Sequence, residues 1–456
     1  MSSSISLSVT NENRIELMQE NRILLFWSVT VWLVVMNTTM FNVALPTVLA
    51  ELSLTSTTVS WIVSGYSIAF AISAITFSRL SDYLPISRLL LIALSLFGVG
   101  AIIGFFSHQF YILLAARIIQ AVGAGAVPGL AMVLAGRYIP VSRRGKAMSL
   151  IATAASLGFG LGPVVGGAIT QYLSWNYLFG LTFFVVLLIP IFYKLLPKEE
   201  VRKGKFDLLG ALLTCMCVTG LLLFLSTQSI ILLLVTVLLF IVLWRYLHKS
   251  EIPFIQPELF QDKQYVKLLL IGFSAFIIHF STLFLMPIIL TEVFDKGAAQ
   301  VGLMIFPGAF SSALAARFIG QSIDRFGNKP VLLFGQFFLI ISCLLLAFFS
   351  TVSPYLILVS YLFMSPGFSA LTSAISNEAT RILPLDKIGS GMGLTQLMQF
   401  IGGGFGVTLM GLLLTLQKDF SAAVVYRNIY LGLLLLILLC VVLLFFYFRN
   451  MPSDSL

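Results

Sequence analysis

Two stretches of the chain repeat one pattern. The first is Ser78-Arg79-Leu80-Ser81-Asp82-Tyr83-Leu84-Pro85-Ile86-Ser87-Arg88, and the second is Gly320-Gln321-Ser322-Ile323-Asp324-Arg325-Phe326-Gly327-Asn328-Lys329. Asp82 and Asp324 stand 242 residues apart, and each opens a polar loop after a long apolar run. The same offset carries Gly160 and Gly162 onto Gly402 and Gly404, and Asn37 onto His279. One offset relating three separate features predicts an internal duplication. Parallel halves related by an axis along the membrane normal are a transport architecture, with a site between them near the midplane.

The composition requires a membrane. Of 456 residues, 59% are hydrophobic and only 10% charged, and the mean hydropathy is +1.03. An ordinary globular chain carries roughly 25% charged residues. Water could not hold such a surface in solution, so a disordered chain and a secreted disulfide scaffold are both excluded. A span needs about 20 apolar residues. On that rule fourteen are expected: 23–49, 58–79, 88–106, 109–138, 145–170, 174–196, 207–226, 229–247, 266–292, 298–321, 330–349, 354–381, 388–416 and 425–448.

Combined with the repeat, these spans predict an all-α membrane protein of two pseudo-symmetric six-helix bundles with two inserted central helices. The expected domains are an N-terminal segment 1–22, a bundle 23–196, the inserted pair 207–247, a connector 248–265, a second bundle 266–448 and a tail 449–456.

The net charge of +9 comes from 27 basic and 18 acidic residues. With the N-terminus inside, only Lys296, Lys418 and Arg427 fall outside, and Arg117 lies within a helix. Basic loops stay cytoplasmic, so both termini are expected in the cytoplasm of a cell whose plasma membrane the chain crosses. The charge is then topology and needs no nucleic-acid partner. Residues 1–22 are polar, with Glu12, Glu16 and Glu20, and lack the apolar core of a removable signal. Cys215, Cys217, Cys343 and Cys440 all fall in apolar runs without metal spacing and are expected to be packing thiols.

Two motifs stand out within the spans. Gly158-Phe159-Gly160-Leu161-Gly162-Pro163-Val164-Val165-Gly166-Gly167 places Gly158, Gly162 and Gly166 four residues apart. Such a stripe lets helices approach closely in lipid, and Pro163 weakens the helix. Arg117-Ile118-Ile119-Gln120 puts a guanidinium well inside an apolar run. An intramembrane charge costs at least about 2.5 kcal/mol at the centre, so a functional role is the default reading.

These residues resemble the major facilitator superfamily. The Gly-Pro-x-x-Gly-Gly run is similar to its antiporter motif, Arg117-x-x-Gln120 to its helix-4 motif, and the paired Asp/Arg loops to its helix 2–3 signature. Asn37-Thr38-Thr39-Met40-Phe41-Asn42-Val43-Ala44-Leu45-Pro46 resembles the helix-1 motif of the fourteen-helix drug:proton antiporter branch. Arg137-Tyr138-Ile139-Pro140 with Arg144-Gly145-Lys146-Ala147 looks most like Gram-positive tetracycline efflux proteins. The chain departs from the pattern at Asn37-Thr38, where the family often has an acid. It departs again at Phe159, where the tetracycline proteins carry Glu, and at Ser78 and Ala121, where Gly is usual.

The resemblance implies a secondary active transporter that exports amphipathic compounds, drugs such as tetracycline among them, by alternating access driven by protons. The alternative is a uniporter, or a carrier of lipid-like amphiphiles, without tight proton coupling. No acidic residue lies deep in the spans, with Glu292 and Glu378 near helix ends. Arg117 and His279 are the ionisable residues read as well inside. His279 titrates in a useful range, though it could equally serve helix packing. Asn37, Asn42, Gln120, Phe159, Gln396 and Gln399 complete the expected amphipathic cavity. Gln396, Gln399 and Gly403 share one helical face.

A cytoplasmic latch is expected from Asp82, Arg88, Arg144, Asp324, Arg325 and Lys329. Contacts made in only one access state would bias the equilibrium by about 1–3 kcal/mol. An enzyme is disfavoured, because no phosphate loop and no His-Glu-x-x-His occurs. His108, His248 and His279 are scattered and make no metal site. No cofactor is expected. The partners expected are membrane lipid, a small amphipathic substrate and protons, acting on a monomer.

Overall fold

The computed structural model describes residues 2–54, 56–196, 199, 206–251 and 253–449. The expected tail 449–456 lies, after Arg449, outside the described residues. Fourteen long helices follow one another. They are α1 (Ser2–Glu51), α2 (Ser56–Leu80), α3 (Ile86–Phe105), α4 (Phe110–Tyr138), α5 (Val141–Tyr172), α6 (Tyr177–Leu195) and α7 (Leu208–Thr227). Next come α8 (Ile230–Lys249), α9 (Lys263–Glu292), α10 (Ala298–Phe326), α11 (Asn328–Phe349), α12 (Pro354–Ile382), α13 (Ile388–Leu416) and α14 (Ala422–Arg449). Among the described residues, 12 helices are long and apolar enough to cross a membrane. The set leaves out α2 and α7, so twelve crossings are in evidence where fourteen were expected. The described part is all-helical.

Three local features differ from expectation. The segment 1–22 was read as separate, but from Ser2 it continues α1 as one helix. Within α6, residues Phe184–Leu188 tighten into a 3-10 turn before Ile189–Leu195. Pro190 has no N–H to offer the carbonyl one turn back, and this breaks the α-helical ladder there. α10 runs on to Phe326, five residues past its expected end at 321. Arg317 therefore lies inside a span rather than at its margin.

Packing follows the repeat. In the first half α1 lies on α5, α2 on α4, α3 on α4 and α3 on α6. In the second half α9 lies on α13, α10 on α12, α11 on α12 and α11 on α14. The halves meet along two seams, α5 against α10 and α2 against α13. α7 and α8 pack on each other, and α7 also touches α2 and α13, so the insertion lies beside the second seam. Asp207 ties the insertion down. It accepts from the Gly210 N–H at 2.8 Å, the Phe254 N–H at 2.9 Å and the Tyr246 hydroxyl at 2.7 Å.

The glycine stripe has a direct cause. A Cβ on Gly162 would collide with Thr39, and one on Gly166 with the Met40 carbonyl. α1 thus sits backbone to backbone on α5. Gly160 faces the other way, onto Ala309 of α10, so one helix seats two neighbours. Cys217, Cys343 and Cys440 are buried, Cys215 is half-buried, and all four are free thiols.

Candidate functional site

Arg117 is fully buried in α4, and neighbouring helices hold it. Its Nη1 donates to Asn37 Oδ1 of α1 at 2.7 Å and to Gln120 Oε1 at 2.8 Å. Gln120 Nε2 in turn donates to Thr182 of α6 at 3.0 Å. The guanidinium is sandwiched between the rings of Phe41 and Tyr66, at 4.2 and 3.9 Å from their centroids. Cation–π contact of this kind is worth about 2 kcal/mol or more when desolvated. Nε and Nη2 have no partner among the described residues, and none of the ion pairs includes Arg117. Asn37, Arg117 and Gln120, each a cavity candidate by sequence, lie in hydrogen-bond contact. The Asn42 side chain lies outside the described residues.

A second group spans the interface between halves. Phe70 of α2 meets Phe400 of α13 at 4.6 Å, and Phe159 of α5 meets Phe280 of α9 at 4.9 Å. Phe276 links Phe400 at 5.8 Å to Phe368 at 5.0 Å. The His279 ring stacks on Phe368 at 3.8 Å with the planes 5° apart, and Phe159 stands 6.3 Å away. His279 is fully buried, and neither ring nitrogen has a hydrogen-bond partner among the described residues. An unsatisfied buried polar group costs about 1–3 kcal/mol. Beside this aromatic chain, Gln396 Nε2 reaches the sulfur of Met132 across the interface at 2.9 Å. Gln399 is buried with its amide nitrogen unpartnered among the described residues. Of the phenylalanines here, sequence reading singled out only Phe159, because helical periodicity does not distinguish a ring at an interface from one facing lipid.

The polar bridges between halves gather at the end that carries the basic loops. Asp324 accepts the N–H of Gly145 at 2.8 Å and of Lys146 at 3.1 Å. Arg144 reaches both the carbonyl and the hydroxyl of Thr380, at 3.4 and 3.3 Å. Thr153 and Ser369 share a hydrogen bond of 3.1 Å deeper along the interface.

Asp82 behaves differently from its repeat mate. It pairs within its own half with Arg79 and Arg137, each at 2.5 Å. It leaves no room for a Cβ on Gly389, at the head of α13. The expected basic partners Arg88, Arg325 and Lys329 do not join these bridges. Arg88 is exposed, Arg325 lies over the Phe326 ring at 5.1 Å, and Lys329 over Phe448 at 5.4 Å. Arg79 is three residues from Asp82, and Arg137 comes from the end of α4 packed beside it, so both are nearer than Arg88.

One carboxylate was undervalued from sequence. Glu378 is four residues from the end of α12 yet almost fully buried. Tyr447 donates to it at 2.8 Å, Asn328 donates to its other oxygen, and Arg381 pairs with it at 3.1 Å. Its i+3 spacing to Arg381 was the one available signal. The covering residues come from α11 and α14, which local sequence does not reveal.

Two matched helix bundles, seamed by two helix pairs and bridged at one end by polar groups, make a multi-pass all-helical architecture. The chain belongs to the Major Facilitator Superfamily, whose profile matches residues 27–407 and again 268–456. The riboflavin transporter RibZ of Clostridioides difficile (strain 630) is 24% identical over 376 residues, 81% of this chain and 82% of that protein. The multidrug resistance protein Stp of Mycobacterium tuberculosis (strain CDC 1551 / Oshkosh) is 26% identical over 405 residues, 84% and 75% of the two chains. Among solved structures, the human organic anion transporter MFSD10 (TETRAN) superposes with a TM-score of 0.70 at 16% identity, covering 92% of this chain and 99% of that one. The proton:xylose symporter XylE gives 0.67 at 15% identity, covering 94% and 95%. Likeness at this identity speaks for the fold. Family and fold together point to a transporter rather than an enzyme.

Proposed function

We propose that this protein is a secondary active exporter of amphipathic compounds, working by alternating access and driven by the proton gradient. The carrying observation is the latch. Asp324 and Arg144 bridge the halves at one end, while Arg117 and His279 hold unused hydrogen-bonding atoms in the interior. Separating the halves at the latch would break the bridges and expose the aromatic interface to substrate. Rings supply apolar area, and a few polar atoms orient the ligand. Drugs such as tetracycline are the substrates suggested by local sequence, and antibiotic resistance would follow from their export. The relatives named for riboflavin and for multidrug resistance fit ligands of this amphipathic kind.

In this reading the chain belongs to the fourteen-helix drug:proton branch, with α2 and α7 also crossing. It acts as a monomer in the plasma membrane with both termini cytoplasmic. Repeat symmetry supports the crossing of α2, whose counterpart α10 is a span. Single cysteines at Lys296 or Lys418 should label from outside, and at Arg143 only after permeabilisation. The reverse pattern would overturn the orientation.

A second reading, uniport without tight proton coupling, is favoured by one observation. Phe159 occupies the place of an acid, and the His279 ring lies against Phe368 and Phe159 with neither nitrogen hydrogen-bonded among the described residues. Flux into proteoliposomes with and without a pH gradient separates the two.

A further inference from the structure

Arg317 poses an electrostatic problem that the transport reading leaves unsolved. It lies in α10 nine residues, or about 13 Å of helix, before Phe326. It is exposed, as are Leu314 at 62% and Phe318 at 70% on either side. That face of a membrane span meets lipid. Among the described residues no carboxylate lies within ion-pair distance of Arg317. A bare guanidinium there is costly unless it reaches toward the interface and finds an anion.

The surroundings provide a place for one. A groove of about 440 Å³ opens at the α5–α10 seam, lined by Lys146, Ser149 and Leu150 from one half and Ala313, Arg317 and Gln321 from the other. Gln321 also lines an adjoining cavity that includes Arg325. The acids nearby are Asp324, whose two oxygens are engaged by the Gly145 and Lys146 N–H groups, and Glu20, next to Asn21, which is paired with Arg143 at 2.8 Å. Lys146 Nζ donates to Asn21 at 3.3 Å and retains two further protons.

We propose that this groove binds the headgroup of an anionic phospholipid. Arg317 and Lys146 hold the phosphodiester, Gln321 offers a further hydrogen bond, and the acyl chains lie along Leu314 and Phe318. Guanidinium geometry suits two phosphate oxygens at once. Basic pockets between membrane helices near the cytoplasmic surface are suited to such headgroups, at roughly 1 kcal/mol per cation. A zwitterionic lipid would bring its own cation against Lys146, so the site should prefer net negative charge. A lipid bound here touches both halves and would stabilise the latched state.

The test is native mass spectrometry of the detergent-purified protein titrated with dioleoylphosphatidylglycerol or dioleoylphosphatidylcholine. The glycerol lipid should bind at least tenfold more tightly. Arg317→Gln should weaken it about fivefold, Lys146→Gln about threefold, and Arg317→Lys less than either, while Arg427→Gln at the opposite end should change nothing. Millimolar inorganic phosphate should not displace the lipid. Equal affinity for the two lipids, or unchanged binding by Arg317→Gln, would overturn the proposal. So would displacement by inorganic phosphate, which would mark a free-anion site.

Discussion

Asp324 of the second half accepts the backbone N–H of Gly145 in the first half at 2.8 Å, and its other oxygen takes the N–H of Lys146 at 3.1 Å. One carboxylate therefore grips the start of α5 across the interface, and in the proposed cycle it does so only while the halves are closed at that end. Asp324→Asn keeps the shape, but it puts an amide NH2, which cannot accept, in place of one of the two oxygens and removes the charge that strengthens the remaining bond. Turnover should fall about 5- to 150-fold, the range of a coupling of 1–3 kcal/mol, with membrane yield unchanged. Gly145→Ala should act in the same direction, since its Cβ would meet Ile323 and Asp324 Oδ1. Wild-type flux in both variants would remove the latch from the account.

Asp82 should respond as a folding residue as well as a transport residue. Its loss leaves Arg79 and Arg137 facing each other with side chains only 5% and 15% exposed. Breaking a buried pair in this way costs about 3 kcal/mol. Asp82→Asn is therefore expected to lower both the thermal unfolding midpoint in detergent and the turnover. If the midpoint stays within a degree of wild type, the pairing carries no stability.

The glycine stripe makes a graded prediction. Gly162→Leu would drive a side chain into Thr39 and should abolish recovery of monodisperse protein. Gly167→Ala should be tolerated, because the nearest atom to its Cβ is Val43 Cγ1 at 3.6 Å. Size-exclusion profiles of the two variants check this, and equal recovery would show that the stripe does not seat α1.

His279 is the interior candidate for coupling. His279→Gln retains a hydrogen-bonding group but cannot titrate. It should bind substrate within about threefold of wild type and lose the stimulation of flux by a pH gradient. Retained stimulation would shift attention to Glu378, the buried carboxylate bonded by Tyr447 and Asn328.

Much of this arrangement was legible in the residues themselves. The offset between Asp82 and Asp324 announced two halves, and the helix pairs of one half recur in the other. Arg117 announced itself by its cost in an apolar run, and it does find Asn37 and Gln120. What stayed hidden depends on neighbours distant in sequence. Arg88 follows Asp82 in the chain, but the carboxylate turns to Arg79 and Arg137 because α4 ends beside it. Glu378 looked terminal until α11 and α14 closed over it. Arg317 drew no notice in the sequence, because only the extension of α10 to Phe326 places it nine residues inside a span. The rings of Phe70, Phe276, Phe280, Phe368 and Phe400 carry no signal of their own, since an interface between halves has the same composition as a lipid-facing stripe.

The central claim is that the latched halves move amphipathic compounds across a membrane at the expense of a proton gradient. The most direct test is flux in proteoliposomes of purified protein, across a panel of neutral, zwitterionic, anionic and cationic amphiphiles, with and without an imposed pH gradient. The account expects neutral, zwitterionic or anionic members to move faster than in protein-free liposomes, the gradient to accelerate them, and Asp324→Asn to suppress that movement. Flux that is protein-dependent but indifferent to the gradient would leave a uniporter, and no protein-dependent flux for any compound would contradict the account.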